Sequence, residues 1–157
     1  MGKVIRYVAS MLPMPLGLRA YLYRLSGIAI GKHVSIDRNL HVTHAHKVRI
    51  GDRVTISNGV SLLAEVTAVH SRLEQQYQIY KSKEIVIEDD VYIGVKATIL
   101  PGVRVGRMTT IGANTVVLSN VPPYAVVLGV PGRVIMMRPH AEGGEPPEAT
   151  QVTGEAR

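Results

Sequence analysis

Apolar positions along this chain recur every six residues. Ile87, Ile93, Ile99, Val105, Ile111 and Val117 are equally spaced aliphatics, and Gly94, Gly106 and Gly112 follow three of them directly. Four residues after each aliphatic sits a compact side chain: Val91, Ala97, Val103, Thr109, Thr115 and Val121. Helices and simple strands repeat at 3.6 and 2 residues, so neither accounts for this beat. A fixed short period predicts a solenoid whose turns stack on one another. Each six-residue unit then reads as one short strand and one corner, with the aliphatic pointing inward.

The same beat runs earlier through Ile30, Ile36 and Val42. After a two-residue slip it resumes at Ile50, Ile56, Leu62 and Ala68. Val34, Leu40, Val54, Val60 and Val66 hold the secondary inward position, from which His46 departs. Gly31, Gly51, Asp52, Asn58, Asp89, Asp90 and Asn114 suit the corners, because Gly, Asn and Asp tolerate turn dihedrals. Each buried Ile or Val contributes about 1.5–3 kcal/mol, so the ladder makes a core without large rings. The composition agrees, with no Phe, no Trp and seven Tyr.

Three regions follow. Residues 1–29 read as helical: Val4, Ile5, Val8, Met11 and Leu12 share one face, and Leu18, Tyr21, Leu22 and Leu25 share another after Pro13 and Pro15. Arg6, Arg19 and Arg24 decorate this segment. It serves either as a cap on the open end of the solenoid or as an interfacial helix at a lipid surface. A signal peptide is not expected, because Arg6 and Pro13 break the apolar stretch. Residues 30–137 form the solenoid, interrupted by a loop at 71–84. Residues 138–157 are rich in Gly, Glu, Pro and Thr and read as a flexible tail.

Length fits one domain, and no apolar run reaches the ~20 residues of a membrane span. The absence of Cys excludes disulfides, a thiolate nucleophile and Cys-ligated zinc. Net charge is +6, with −3 in the tail from Pro139 and +9 on the body. Such a body attracts polyanions, among them coenzyme A, nucleic acid and an anionic bilayer.

Ile99-Leu100-Pro101-Gly102-Val103, Val121-Pro122-Pro123-Tyr124 and Gly129-Val130-Pro131-Gly132-Arg133 add a closing signature to the hexads. Together they resemble the hexapeptide-repeat acyltransferases, most closely the sugar, maltose and galactoside O-acetyltransferase branch. The likeness covers roughly residues 28–137. It implies an all-β solenoid, a left-handed parallel β-helix with three hexads per coil, although the usual crossover rule would favour the right-handed form. It also implies acetyl-CoA as donor, a homotrimer, and a pantetheine groove between two prisms. Its imprint here is a sugar hydroxyl acceptor on a polysaccharide or its precursor, in the cytoplasm or at the inner face of the membrane. Nucleic acid and a metal are not expected as partners.

The excursion SRLEQQYQIYKSK breaks a tightly periodic solenoid, and such breaks are usually functional. In the resembling family a His just before it is the general base, and His70 matches by position. Glu65 is the nearest acid before it, placed to orient that ring or bind a sugar hydroxyl. The family's active-site Asn falls on Gly59 here, with Asn58 one residue earlier. The resemblance further implies cofactor contacts at Tyr92, Gly94, Val95, Gly112 and Ala113, and a phosphate contact at Arg133. This chain departs from the family at Ser119 and at Met136, with Arg138 nearby.

His44 and His46 read as lining an acceptor pocket, placed on one face by strand alternation. With His41 and His70 they also raise a zinc site like that of the γ-class carbonic anhydrases. That likeness lacks the excursion and the Gly-Val-Pro ending. A nucleotide-amino-sugar N-acetyltransferase is a further alternative, disfavoured by the lack of a separate nucleotide-sugar domain. A serine acetyltransferase would add a long helical N-terminal domain. A trimeric scaffold without catalysis is the non-enzymatic reading.

Overall fold

The computed structural model describes residues 2–67 and 71–139. Helices α1 (Gly2–Met11) and α2 (Leu16–Leu25) precede short strands that visit three sheets in rotation. The first sheet aligns Ala29–Ile30, Val48–Ile50, Ile85–Ile87 and Arg104–Val105. The second aligns Ser35–Ile36, Thr55–Ile56, Tyr92–Ile93, Thr110–Ile111 and Ala125–Leu128. The third aligns His41–Thr43, Ser61–Leu63, Thr98–Ile99 and Val116–Val117. All pairings among these strands are parallel, and three strands complete one coil.

The register turns the six-residue beat into columns. Ile30, Ile50, Ile87 and Val105 stack in the first sheet. Ile36, Ile56, Ile93, Ile111 and Val127 stack in the second. Val42, Leu62, Ile99 and Val117 stack in the third. All but Ile30 are buried, and Ile30 packs against the same core. The two-residue slip is absorbed by a single 3-10 turn, Ala45–Lys47, entered through His44 at φ 48°. Val48 emerges from it as an extra rung opposite Ile85.

The corners follow the sequence expectation in part: Asp52, Asn58, Asp89, Asp90 and Asn114 lie in them, while Gly31 and Gly51 do not. Left-handed backbone recurs at His33, Arg53, Asp90, Met108 and Tyr124 between the first and second sheets. It recurs at Asn39, Gly59, Lys96 and Asn114 between the second and third. Most of these positions are neither Gly nor Asn. The isolated left-handed conformer costs about 1–2 kcal/mol, and the hydrogen bonds of the stacked coils hold it in place. Gly31, Gly51 and Gly94 serve another purpose. A Cβ on Gly51 would lie 2.9 Å from the Asp89 nitrogen, and one on Gly94 would lie 2.7 Å from the Ala113 nitrogen. These glycines let one coil sit directly on the next. Arg53 also ties two coils: Nε and Nη2 donate to Asp90 Oδ1 and Oδ2 at 2.6 and 2.8 Å. That hydrogen-bonded guanidinium holds the Asp90 carboxyl below its ordinary range.

The last strand, Arg133–Met137, runs antiparallel to Ala125–Leu128 and so departs from the parallel coil. Arg138, which the composition assigns to the tail, is anchored. Its backbone N–H donates to Tyr124 O at 2.8 Å, and its guanidinium donates to Met108 O and Thr110 Oγ1 at 3.2 and 2.9 Å. The rest of the acidic tail, from His140, lies outside the described residues.

At the other end, α2 lies on the first coil. The side that faces the prism is Ala9, Arg19, Ala20 and Tyr23, all buried. Arg19 does not decorate the surface. Its Nε, Nη1 and Nη2 donate to Ala9 O, Ile36 O and Leu12 O at 2.9, 3.0 and 3.0 Å. Most of the two apolar stripes turns the other way: Val4, Val8, Met11, Leu12, Leu18 and Leu25 are exposed, while Ile5 is half-buried and Leu22 packs against the core.

Tyr23 donates its hydroxyl to Leu40 O at 3.0 Å, and burial pushes its pKa up to about 12 against the pull of Arg19 and Arg6. The unfolded tyrosine loses its proton near pH 10, while the folded one keeps it to about pH 12. The folded state then holds more protons in that window, so stability falls as pH rises. The expected loss is about 2–3 kcal/mol between pH 10 and 12. Tyr23→Phe should cost about 1–2 kcal/mol at neutral pH, through the orphaned Leu40 carbonyl, and should remove this part of the alkaline slope. Urea melts at pH 8 and pH 11 check both.

Candidate active site

The chain leaves the prism earlier than the hexad count implies. Ala64 is buried, and Glu65–Val66 then pairs antiparallel with Lys81–Ser82. The Lys83 N–H donates to Ala64 O at 3.0 Å and closes the neck. Val66, expected inside, is therefore exposed on this arm. The arm carries helix α3 (Arg72–Tyr77), capped by Ser71 Oγ, which accepts from the Leu73 N–H at 3.1 Å. Ala68 and His70 lie outside the described residues.

Glu65 gathers the polar groups at the neck. Its carboxylate Oε2 lies 2.9 Å from His44 Nδ1 and accepts from the Tyr80 hydroxyl at 3.3 Å. Its backbone N–H donates to Thr43 Oγ1 at 3.1 Å. The side chain of Glu65 is largely covered (17% exposed), and that of His44 is more open (41%). The His46 ring meets His44 edge-on, with centroids 5.5 Å apart. His44 and His46 thus do belong together, but through the 3-10 turn rather than through strand alternation. The sheet ends at Thr43, and the left-handed His44 redirects its ring toward the arm. A proton on His44 Nδ1 would be held by the carboxylate, which leaves Nε2 with its lone pair outward. That arrangement can accept a proton from an incoming hydroxyl. His41 stands on the third sheet, two residues before the strand end. No group of three or more His, Asp or Glu suited to hold a metal ion occurs among the described residues.

Thr43 and Tyr80 were not picked out by sequence. Thr43 could have been found as the hydroxyl next to a histidine at the slip. Nothing in the sequence sets the register that brings Tyr80 back to Glu65.

The remaining site residues occupy a different corner, between the second and third sheets. Asn58 O accepts from the Lys96 N–H at 2.9 Å, and Val95 O accepts from the Asn114 N–H at 2.8 Å. These bonds stack Asn58, Val95 and Ala113 along one ridge. Tyr92 is exposed beside it, its hydroxyl 3.3 Å from Ser57 Oγ. Val95 and Ala113 face outward, while Gly94 is buried. The N–H groups of Gly94 and Gly112 donate to Ile111 O and Val127 O at 2.8 and 2.9 Å. Both glycines are thereby committed to the ladder and offer a slender wall rather than hydrogen bonds to a ligand. Arg133 is exposed at the start of the antiparallel strand, whose approach is fixed by the Gly132 N–H to Val116 O at 2.8 Å. An exposed arginine at the end of a narrow outward ridge fits a phosphate-bearing arm such as that of coenzyme A. Within one chain the third sheet separates this ridge from the Glu65 neck.

Comparison with known proteins gives the class. The bacterial transferase hexapeptide (six repeats) family matches residues 84–119, and the hexapeptide repeat of succinyl-transferase matches residues 48–64. The galactoside O-acetyltransferase of Escherichia coli (strain K12) is 38% identical over 110 residues, covering 70% of this chain and 54% of that protein. The serine acetyltransferase of Mycobacterium tuberculosis is 36% identical over 118 residues, covering 75% and 47%. The chain thus spans about half the length of these curated relatives. A hexapeptide-repeat-containing acetyltransferase from Vibrio cholerae O1 biovar eltor, solved with acetyl coenzyme A, superposes with a TM-score of 0.71 at 26% identity, covering 87% of this chain and 84% of that one. The chain belongs to the hexapeptide-repeat transferases.

Proposed function

We propose that this protein transfers an acetyl group from acetyl-CoA to a hydroxyl of a sugar, on a polysaccharide or its precursor. The observation that carries this is the imidazole–carboxylate pair of His44 and Glu65 at the neck of an arm that leaves the hexapeptide coil. Similarity to a solved acetyl-CoA complex over most of the chain supports the donor, and similarity to a galactoside O-acetyltransferase supports the acceptor. The coil is taken as left-handed, as in that family. Acetyl-CoA as donor implies the cytoplasm.

The donor supplies an activated thioester, so the protein's task is proton management and placement. A neutral imidazole removes the acceptor hydroxyl proton as the oxygen attacks the carbonyl carbon. The carbon–sulfur bond breaks, and the same imidazole returns the proton to the departing sulfur. His70 is assigned this role from its position before the excursion, and His44 with Glu65 then orients the acceptor. The ridge at Tyr92, Val95 and Ala113 and the Glu65 neck lie at different corners of one prism. Association of three chains, with one chain's ridge against its neighbour's neck, would unite them in a shared groove. Light scattering should accordingly give three times the chain mass.

A second reading makes His44 the base, favoured by the 2.9 Å contact that fixes its ring. Glu65→Gln separates the two. If His44 only orients the acceptor, the variant should raise the acceptor KM about tenfold and leave kcat within a few fold. A loss of about 10²-fold or more in kcat would transfer the base to His44. The function itself is tested by screening sugars and nucleotide sugars for coenzyme A release. The protein has no cysteine, so a thiol reagent reads released coenzyme A alone. Release with no sugar tested would end the sugar reading.

A further inference from the structure

The two N-terminal helices cover the first coil with Ala9, Arg19, Ala20, Tyr23 and part of Leu22 and present most of their apolar residues outward. Val4 and Tyr7 are 66% and 64% exposed, and Met11, Leu12, Tyr21 and Leu25 are each more than half exposed. So many exposed large apolar side chains on two helices that pack together mark an interaction site. It is not needed for docking to the prism, which Ala9, Arg19, Ala20 and Tyr23 already accomplish on the opposite side.

Charge decides what covers it. Lys3, Arg6, Arg19, Arg24 and Lys32 all precede Asp37, and no acidic residue occurs before that position. Arg19 is buried, while Lys3, Arg24 and Lys32 are exposed and Arg6 is half-buried. A second copy laid on this face would oppose like charges around an apolar centre. A surface that is negative at its rim and apolar beneath matches both features. Each helix has ten residues, about 15 Å in length, and no helix among the described residues is long and apolar enough to cross a membrane. The helices therefore suit lying in the headgroup plane.

We infer that α1 and α2 form an amphipathic foot that docks the first coil onto an anionic lipid bilayer. Tyr7, Met11 and Leu25 enter the acyl boundary, and Lys3 and Lys32 meet the lipid phosphates, while Arg24 donates to Ile30 O and Gly31 O and ties the foot to the coil. The foot is at the opposite end of the stack from the antiparallel strand, so the flanks of the prism stay clear of the membrane. This holds whatever the acceptor proves to be.

The full chain is tested by co-sedimentation with vesicles of phosphatidylcholine, with and without one quarter phosphatidylglycerol. Binding to the anionic vesicles should be at least tenfold tighter and should weaken as salt rises from 20 to 300 mM. The cysteine-free sequence allows a single reporter. A polarity-sensitive dye on Tyr7→Cys should shift to the blue with anionic vesicles, while the same dye on Leu118→Cys, exposed on the fourth coil, should not. The triple variant V4S/Y7S/M11S should bind at least tenfold more weakly with its oligomeric state unchanged. Equal binding to both vesicles, no sedimentation, an equal shift at Leu118, or a smaller assembly in the triple variant would each overturn the inference. Should the triple variant not fold, the two single-label proteins still decide.

Discussion

His70→Asn should lower the acetyl-transfer rate constant about 10²–10⁴-fold, the usual contribution of a positioned general base. Asparagine keeps similar size and polarity but cannot take a proton at neutral pH, so folding and acetyl-CoA binding should be retained. The unmodified enzyme's rate should rise with pH, because only the neutral ring accepts a proton. The variant should lose that limb. The control is His44→Asn, whose main effect should be a higher acceptor KM. If the two variants exchange these patterns, the base is His44, held by Glu65. Steady-state kinetics from pH 5.5 to 8.5, with a circular-dichroism melt of each protein, make the measurement.

Arg19→Ala should destabilise the protein by about 3 kcal/mol or more. The side chain is 2% exposed, and each of its three nitrogens donates to a backbone carbonyl. Ala9 and Leu12 lie at the end of α1, where helical carbonyls lack partners within the helix. Ile36 belongs to the first coil. Removing the side chain leaves these acceptors unpaired, at about 1–3 kcal/mol for each one that stays dry, and adds a cavity. Asp37 lies 4.0 Å from the guanidinium and partly balances its charge. Lysine keeps the charge but not the planar fork that spans three acceptors, so Arg19→Lys should recover only part of the loss. The urea midpoint should fall with little change in slope. Hydrogen exchange should quicken first in residues 2–25, because Arg19, with Tyr23 and Arg24, links the helices to the coil.

What the sequence makes legible here is whatever repeats. The columns through Ile36, Ile56, Ile93 and Ile111 follow from counting by six, because every inward residue faces the same environment one coil later. The corners are not legible in the same way. Arg53, Lys96 and Met108 adopt left-handed backbone although their side chains carry no preference for it, since the neighbouring coils dictate the conformation. Arg19 reads as one more surface cation in an amphipathic helix, and only the fold reveals the carbonyls that draw it inside. The apolar stripes of α1 and α2 are legible by periodicity, which leaves open a cap or a lipid-facing segment, and most of their residues point outward. Periodicity identifies a face but not what it meets. In the site, Glu65 and His44 could each be singled out. Their contact depends on the left-handed turn at His44 and on the arm that begins at Glu65, neither of which the hexad count contains. Val66 and the start of the excursion fail for the same reason: a repeat cannot announce where it will be abandoned.

The reversed strand Arg133–Met137 occupies the outer place in the six-stranded sheet. A column of identical parallel rungs would otherwise invite another molecule to continue it, as edge strands do. Turning the chain back on itself fills that vacancy with the protein's own backbone. On this flank the parallel stack ends at Ala125–Leu128, whose outer side is already paired and cannot take a further parallel rung.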